Sequence, residues 1–306
     1  MNSEKFTLPS FAKINWRLKV AGRREDGFHE LCTLFQTVSL ADEIDFEPAD
    51  ETVLTCRDPA VPVDGRNLIL RAAELLRNEF GVRAGARIHL EKRIPAPGGL
   101  GGGSSNAAVA LLGLARLWKL GINFEKLVEL GSRLGSDVPF FLYGGTAAGF
   151  GRGTKILPVR DVRHESMVIV TPAVEVSTAE AFIRLEAPYL TKEGAKSILK
   201  ICQIEAESFD LHQSELKNDF EKSVFRCEPE IERVKQRLLE AGADQALLSG
   251  SGASVFAIFD KEETRQATLK ALDNETNWRK FAVATISREE YRAALNQCSS
   301  LLPISF

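Results

Sequence analysis

The sequence predicts an α+β protein of two units, and three observations carry that expectation. Residues Ser10–Val20 alternate: Ala12, Ile14, Trp16, Leu18 and Val20 fall on one face, Lys13, Asn15, Arg17 and Lys19 on the other. A strand-like stretch, Ala86–Leu90, leads through a glycine-rich turn into a long apolar run with high helix propensity. Towards the end, Gln245–Phe259, Lys261–Leu272 and Phe281–Ile286 read as two strands, a helix and a strand, the order of a small α+β sandwich.

The remaining elements follow in order. Leu31–Leu40 reads as a strand, and Asp42–Glu47 alternates again. Asn67–Phe80 is an amphipathic helix with Gly81 as its stop. The glycine turn opens into a buried helix from Ala107 to about Leu120, and a second helix near Phe124–Leu134 ends at Gly135. Gly144–Gly153 reads as a hairpin whose small residues allow close backbone approach. Polar residues around Arg160–Ser166 mark the boundary, so the expected units are 1–162 and 163–306. Met167–Pro172 opens the second unit as a strand, and residues 174–240 are read as helices and loops.

The chain has 306 residues, 44% apolar and 26% charged, the balance of an ordinary globular protein. A formal charge of −3 gives no electrostatic case for nucleic acid or an anionic membrane. The first residues lack the order of a signal peptide, and no run approaches a membrane span. Five cysteines are scattered without C-x-x-C pairing, which predicts reduced thiols, no zinc and a cytoplasmic protein.

The stretch Pro95–Asn106 (PAPGGLGGGSSN) is the strongest chemical signal. Glycines let a backbone come close to a ligand, and unpaired N–H groups at a helix start favour an anion. Ser104 and Ser105 stand where they can cap the helix or donate to a phosphate oxygen. No lysine follows the glycines, so this is not a Walker A loop. The dinucleotide fingerprint fails too, because the sixth position is Ser104 counted from Gly99 and Asn106 counted from Gly101. A mobile linker would not run unbroken into a buried helix, so a phosphate cradle is expected.

Other candidates have two readings each. Lys13 beside Asn15 suits a phosphate or polar substrate, and the same spacing suits a solvated strand face. Phe28 and His29 in the loop Gly22–Glu30 suit a planar ligand, or are plain surface residues. Asp137 is either the N-cap of a helix begun by Pro139 or a carboxylate placed to accept a hydroxyl proton. Ser249–Gly252 is a second small-residue turn, either a plain hairpin or a lid facing the first.

Taken together, Pro9–Asn15, the central glycine loop and Ser249–Ala253 make the sequence similar to the GHMP kinase superfamily. Asp26–Leu31, Gly135–Phe141, Gly144–Ala147 with Gly151–Gly153, and Asn218–Glu221 resemble most closely the branch acting on 4-diphosphocytidyl-2-C-methyl-D-erythritol in non-mevalonate isoprenoid synthesis. The resemblance implies a ribosomal-S5-like ATP domain, a ferredoxin-like substrate domain, and ATP and Mg²⁺ as cofactors, with a small-molecule substrate and no dedicated metal residue. It implies Lys13 and Asp137 as the catalytic pair. It implies ATP binding by Pro95, Ala96, Pro97, Gly98, Gly99, Leu100, Gly101, Gly102, Gly103, Ser104 and Ser105, with Asn15, Phe28, His29 and Phe182 on the substrate. Pro97 and Phe28 depart from the family's usual glycine and tyrosine, and Ser136 from its usual alanine. Rival expectations are a homoserine- or mevalonate-type kinase of the same superfamily, and a binding protein of this fold without catalysis.

Overall fold

In the computed structural model, which describes residues 5–185, 187–190 and 192–303, strands β1 (Phe6–Arg23) and β2 (His29–Ala49) form a long antiparallel hairpin. The far edge of β2 serves two neighbours. Residues 31–36 pair with β5 (Thr146–Gly151), and residues 43–49 pair with β4 (Gly85–Glu91). Strands β3 (Val53–Cys56), β6 (Lys155–Pro158) and β8 (Lys217–Asn218) complete this sheet. The strand β8 lies in a region read from sequence as helix and loop, and two residues pairing in parallel with Arg17 and Leu18 leave no alternation to read.

Three helices cover one face of the sheet. Asn67 caps α1 (Leu68–Phe80) through its side chain, and Gly81 ends it in the left-handed conformation at φ 65°. Helix α2 (Gly102–Leu117) is buried almost throughout, and α3 (Phe124–Leu134) begins at an Asn123 cap and stops at Gly135. Helix α2 starts five residues earlier than its apolar run suggests, so Gly102, Gly103 and both serines form its first turn. Apolar side chains of these helices interleave with Ile44, Phe46 and Ile88 to make the first core. A short helix α4 (Phe140–Tyr143) follows, sealed by Phe140 stacking on Phe35 at 4.8 Å.

The second sheet is four-stranded and antiparallel, ordered β11–β7–β10–β9, with β7 at Met167–Pro172, β9 at Gln245–Leu248, β10 at Val255–Ile258 and β11 at Trp278–Val283. Helices α5 (Thr178–Arg184), α6 (Lys192–Glu207), α7 (Glu221–Cys227) and α8 (Pro229–Glu240) lie between β7 and β9, and α9 (Glu262–Ala271) joins β10 to β11. This is the ferredoxin-like order expected. The last strand lies three residues earlier than its apolar pattern suggests, because Trp278 packs inward against the α8 side.

A third core joins the sheets. Ala12, Ile14 and Trp16 of β1 meet Ile169, Leu247 and Phe256 of the second sheet, with Trp16 edge-on to Phe256 at 5.5 Å. That contact buries one face of β1 and leaves the other, with Lys13 and Asn15, facing α2. The chain then returns: α10 (Arg288–Ala294) and the 3₁₀ turn Asn296–Leu301 pack Tyr291, Leu295 and Cys298 into the first core. The Tyr291 hydroxyl donates to the Phe141 carbonyl at 2.5 Å. The end of the expected second unit therefore belongs structurally with the first.

One expectation is corrected. Cys32 on β2 and Cys202 on α6 are joined in a disulfide, with Cα atoms 6.1 Å apart, while Cys56, Cys227 and Cys298 are free. A pairing across 170 residues is set by α6 packing on β2, which cysteine spacing does not encode. Among the described residues, no helix is long and apolar enough to cross a membrane.

Candidate active site

The glycine loop emerges from β4 held by a buried anchor. The Asp42 carboxylate accepts the Arg93 and Ile94 N–H groups at 2.7 and 2.8 Å, and the Lys92 ammonium at 2.8 Å. The loop then turns across the middle of β1, where the Lys13 N–H donates to the Leu100 carbonyl at 2.9 Å. Two glycines are required by their surroundings. A Cβ on Gly99 would collide with the Ser249 carbonyl, and one on Gly101 would sit 2.8 Å from the Phe141 ring, both at φ 69°. The N–H groups at the start of α2 are left facing a cleft of about 940 Å³.

The second glycine turn faces the first. Ser249 donates its hydroxyl to the Gly99 carbonyl at 3.0 Å, and the Ser254 N–H donates to the Gly98 carbonyl at 3.1 Å. Asn218 holds this turn from below by donating to the carbonyls of Leu248 and Gly250, each at 2.8 Å. The Gly250 N–H in turn donates to Asn15 Oδ1 at 3.0 Å.

Lys13 is buried beneath this junction. Its ammonium donates to the Gly99 carbonyl at 2.6 Å and to Asn15 Oδ1 at 2.7 Å, and lies 4.0 Å from the Asp137 carboxylate. Burial pushes the Lys13 pKa below its ordinary value, and the Asp137 charge opposes that shift. Asn15 donates onward to the Thr33 hydroxyl at 2.7 Å, so every polar atom of its side chain is engaged. The solvated-face reading therefore holds for Lys19, while Lys13 and Asn15 are enclosed.

Asp137 does not cap the short helix: α4 begins after Pro139 with no side-chain cap bond. Its carboxylate is one-third exposed at the mouth of the cleft, beside Gly153. A lysine-paired carboxylate opposite a row of N–H groups can hold a hydroxyl and accept its proton next to bound phosphate.

The far end of the cleft is aromatic. Phe28 and His29 form the tip of the β1–β2 hairpin, and the His29 ring stacks on Phe182 of α5 at 4.8 Å. Phe182 also meets Phe220 edge-on at 4.8 Å. Burial and the Arg23 charge lower the His29 pKa, which keeps its imidazole neutral near pH 7, with one ring nitrogen a donor and the other an acceptor.

Of the residues singled out from sequence, Lys13, Asn15, Phe28, His29, Asp137, Phe182 and Pro95–Ser104 line this one cleft. Ser105 does not: it is fully buried on the inner side of α2, accepting from the Ser10 hydroxyl at 2.8 Å. The helix turn begun at Gly102 rotates Ser105 into the core and leaves Ser104 at the cleft.

Sequence reasoning missed Arg152, whose guanidinium lies 3.5 Å from the centre of the Phe28 ring. It also missed Asn218 and Thr33. Gly151–Gly153 and Asn218–Glu221 both carry the family resemblance, but that resemblance gave neither Arg152 nor Asn218 a role.

Known proteins resemble this chain in sequence and fold. The GHMP kinases N terminal domain matches residues 67–145 and the GHMP kinases C terminal domain matches residues 200–277. The 4-diphosphocytidyl-2-C-methyl-D-erythritol kinase of Solibacter usitatus is 40% identical over 299 residues, 96% of this chain and 92% of that protein. The enzyme of the same name from Syntrophotalea carbinolica is 40% identical over 286 residues, 93% of this chain and 99% of that one. A crystal structure of 4-(cytidine 5'-diphospho)-2C-methyl-D-erythritol kinase superposes with a TM-score of 0.73 at 34% identity, covering 92% of this chain and 99% of that chain. Homoserine kinase from Cytophaga hutchinsonii, at 21% identity and a TM-score of 0.69, shares the fold. With loop, carboxylate and aromatic end in one cleft, the chain belongs to the GHMP kinases, ATP-dependent small-molecule kinases, in the group of 4-diphosphocytidyl-2-C-methyl-D-erythritol kinases.

Proposed function

We propose that this chain transfers the γ-phosphoryl group of ATP to a hydroxyl of 4-diphosphocytidyl-2-C-methyl-D-erythritol, a step of non-mevalonate isoprenoid precursor synthesis. The single observation that carries the reading is the arrangement along one cleft. A glycine cradle and the Lys13–Asp137 pair, 4.0 Å apart, stand at one end, and the aromatic group Phe28, His29 and Phe182 stands at the other. A substrate with a planar base at one end and a polyol at the other spans such a cleft.

In this reading the α2 N-terminus and the Pro95–Ser104 backbone bind the ATP phosphates, and Ser105 supports the loop from the core. Asp137 orients the acceptor hydroxyl in line and takes its proton. Lys13 keeps that carboxylate charged and offsets negative charge that develops on the transferring group. Asn15 fixes the Lys13 ammonium and the second glycine turn. Phe28 stacks on the cytosine and His29 hydrogen-bonds its edge, backed by Phe182.

Mg²⁺ fits the donors available. The Ser104 hydroxyl and Asp137 carboxylate are oxygen donors at the cleft. Such a set suits an ion held mainly by phosphate oxygens. An ion held there would supply positive charge to offset the ATP phosphates during transfer. We place the enzyme in the cytoplasm, where ATP and soluble phosphorylated intermediates meet, and divide the chain at 162/163 with its last helix returning to the first unit.

The test is ADP release by the purified protein with ATP and Mg²⁺ against 4-diphosphocytidyl-methylerythritol, homoserine, mevalonate and galactose. Turnover with the cytidine substrate alone is expected. Turnover with another alcohol would discard the aromatic pocket's role, and silence across the panel with ATP still bound would favour a non-catalytic binding protein.

A further inference from the structure

We propose that Arg24 is a positioning residue for nucleobase recognition, gripped by Asp26 and Glu30 in a charge clamp that holds Phe28 in its binding pose. The inference rests on the base-recognition reading above. Phe28 stands at the tip of a solvent-facing hairpin, half exposed, with its ring against the Arg152 guanidinium and its backbone left to be fixed by the hairpin itself.

The clamp runs through one guanidinium. Arg24 Nη1 donates to Glu30 Oε2 at 2.7 Å, while Arg24 Nε donates to both oxygens of Asp26 at 3.2 Å. Asp26 then accepts the Phe28 N–H at 3.1 Å. A planar fork can bridge two carboxylates on different sides, which an ammonium on a flexible stem does poorly.

The turn itself does not need this device. It is already closed by the Arg24 N–H to the Phe28 carbonyl at 2.7 Å and by the Gly27 N–H to the Arg24 carbonyl at 3.1 Å. Yet Glu30 is buried to 4% exposure, and its Oε1 has no hydrogen-bond partner among the described residues, facing Gly151 instead. Burying a carboxylate with one oxygen unsatisfied is costly, and the structure meets that cost to fix Arg24. Asp26 fixes the Phe28 backbone, and a backbone fixed before the ligand arrives presents its ring at a lower entropic cost, so the clamp acts on affinity for the base and not on phosphate binding.

The test titrates the full-length protein separately with CDP and with a non-hydrolysable ATP analogue. The variants are Asp26→Ala, which changes only exposed groups, and the double change Arg24→Met with Glu30→Gln, which leaves no unpaired buried charge. Thermal unfolding confirms that each is folded. Both should bind CDP about tenfold more weakly, with ATP-analogue affinity within about twofold of wild type. Phe28→Ala is the control. If it leaves CDP affinity unchanged, the base-recognition reading itself fails. If it weakens CDP while the clamp variants do not, the clamp alone is overturned. Equal loss of both ligands in folded clamp variants would also overturn it, by making Arg24 a general structural residue.

Discussion

The two ends of the cleft are built from different material. At the phosphate end, Lys13 and Asn15 are buried, and each glycine turn is bonded to the other. At the base end, Phe28 at the tip of the β1–β2 hairpin and Arg152 in the turn after β5 both stand in solvent, with guanidinium and ring in contact. The contrast fits the tasks proposed for the two ends. Stabilising charge on a transferring phosphoryl group needs fixed dipoles in a water-poor setting. Choosing a base needs a planar surface that a ligand can reach, and stacking tolerates an exposed edge.

The largest expected effect breaks the phosphate end alone. Asp137→Asn should lower turnover about 10²- to 10⁴-fold in steady-state assays, with ATP-analogue affinity almost unchanged, because the base is lost and the cradle is intact. Wild-type rates would remove Asp137 from the chemistry. Gly99→Ala comes next. Its Cβ meets the Ser249 carbonyl, so the two turns must part, and the KM for ATP should rise at least about tenfold.

At the base end, Phe28→Ala should raise the KM for the cytidine substrate about tenfold while sparing ATP, the scale of one lost base–aromatic stack. An equal rise for both substrates would dissolve the distinction between the two ends.

The smallest effect is on stability and is read from pH. Burial lowers the Lys13 pKa below 10.5, so between that lowered value and 10.5 the unfolded chain holds a proton that the folded chain has released. Wild-type stability therefore gains from Lys13 as pH rises through this window. Lys13→Met removes that gain and also removes a buried charge, so urea unfolding should find it no less stable at pH 7 and flatter at alkaline pH. Its turnover should still fall about 10²- to 10³-fold.

Much of this was legible in the chain. Helix α1 carries its own cap and stop in Asn67 and Gly81, and α3 likewise in Asn123 and Gly135, so local chemistry marks the ends of both. The glycine loop stood out in the chain because its composition has few uses other than close backbone approach, and it lies at the cleft. What escaped was set by tertiary contact. The face of β1 holding Lys13 can be read from sequence as solvated or enclosed, and it is enclosed because the two glycine turns close over it. Ser105 looks equivalent to Ser104 until the helix start assigns them opposite sides. Arg152 reads as a turn residue, and its place on Phe28 depends on β5 pairing with β2. The Cys32–Cys202 bond is of the same kind.

The central claim is that one cleft joins a phosphate end to a separable base end. The most direct measurement is a crossed kinetic experiment on Gly99→Ala and Phe28→Ala, with each of the two substrates varied in turn. The account predicts a diagonal result: Gly99→Ala raises the KM for ATP alone, and Phe28→Ala raises the KM for the cytidine substrate alone. A result in which both variants raise both constants equally would contradict it.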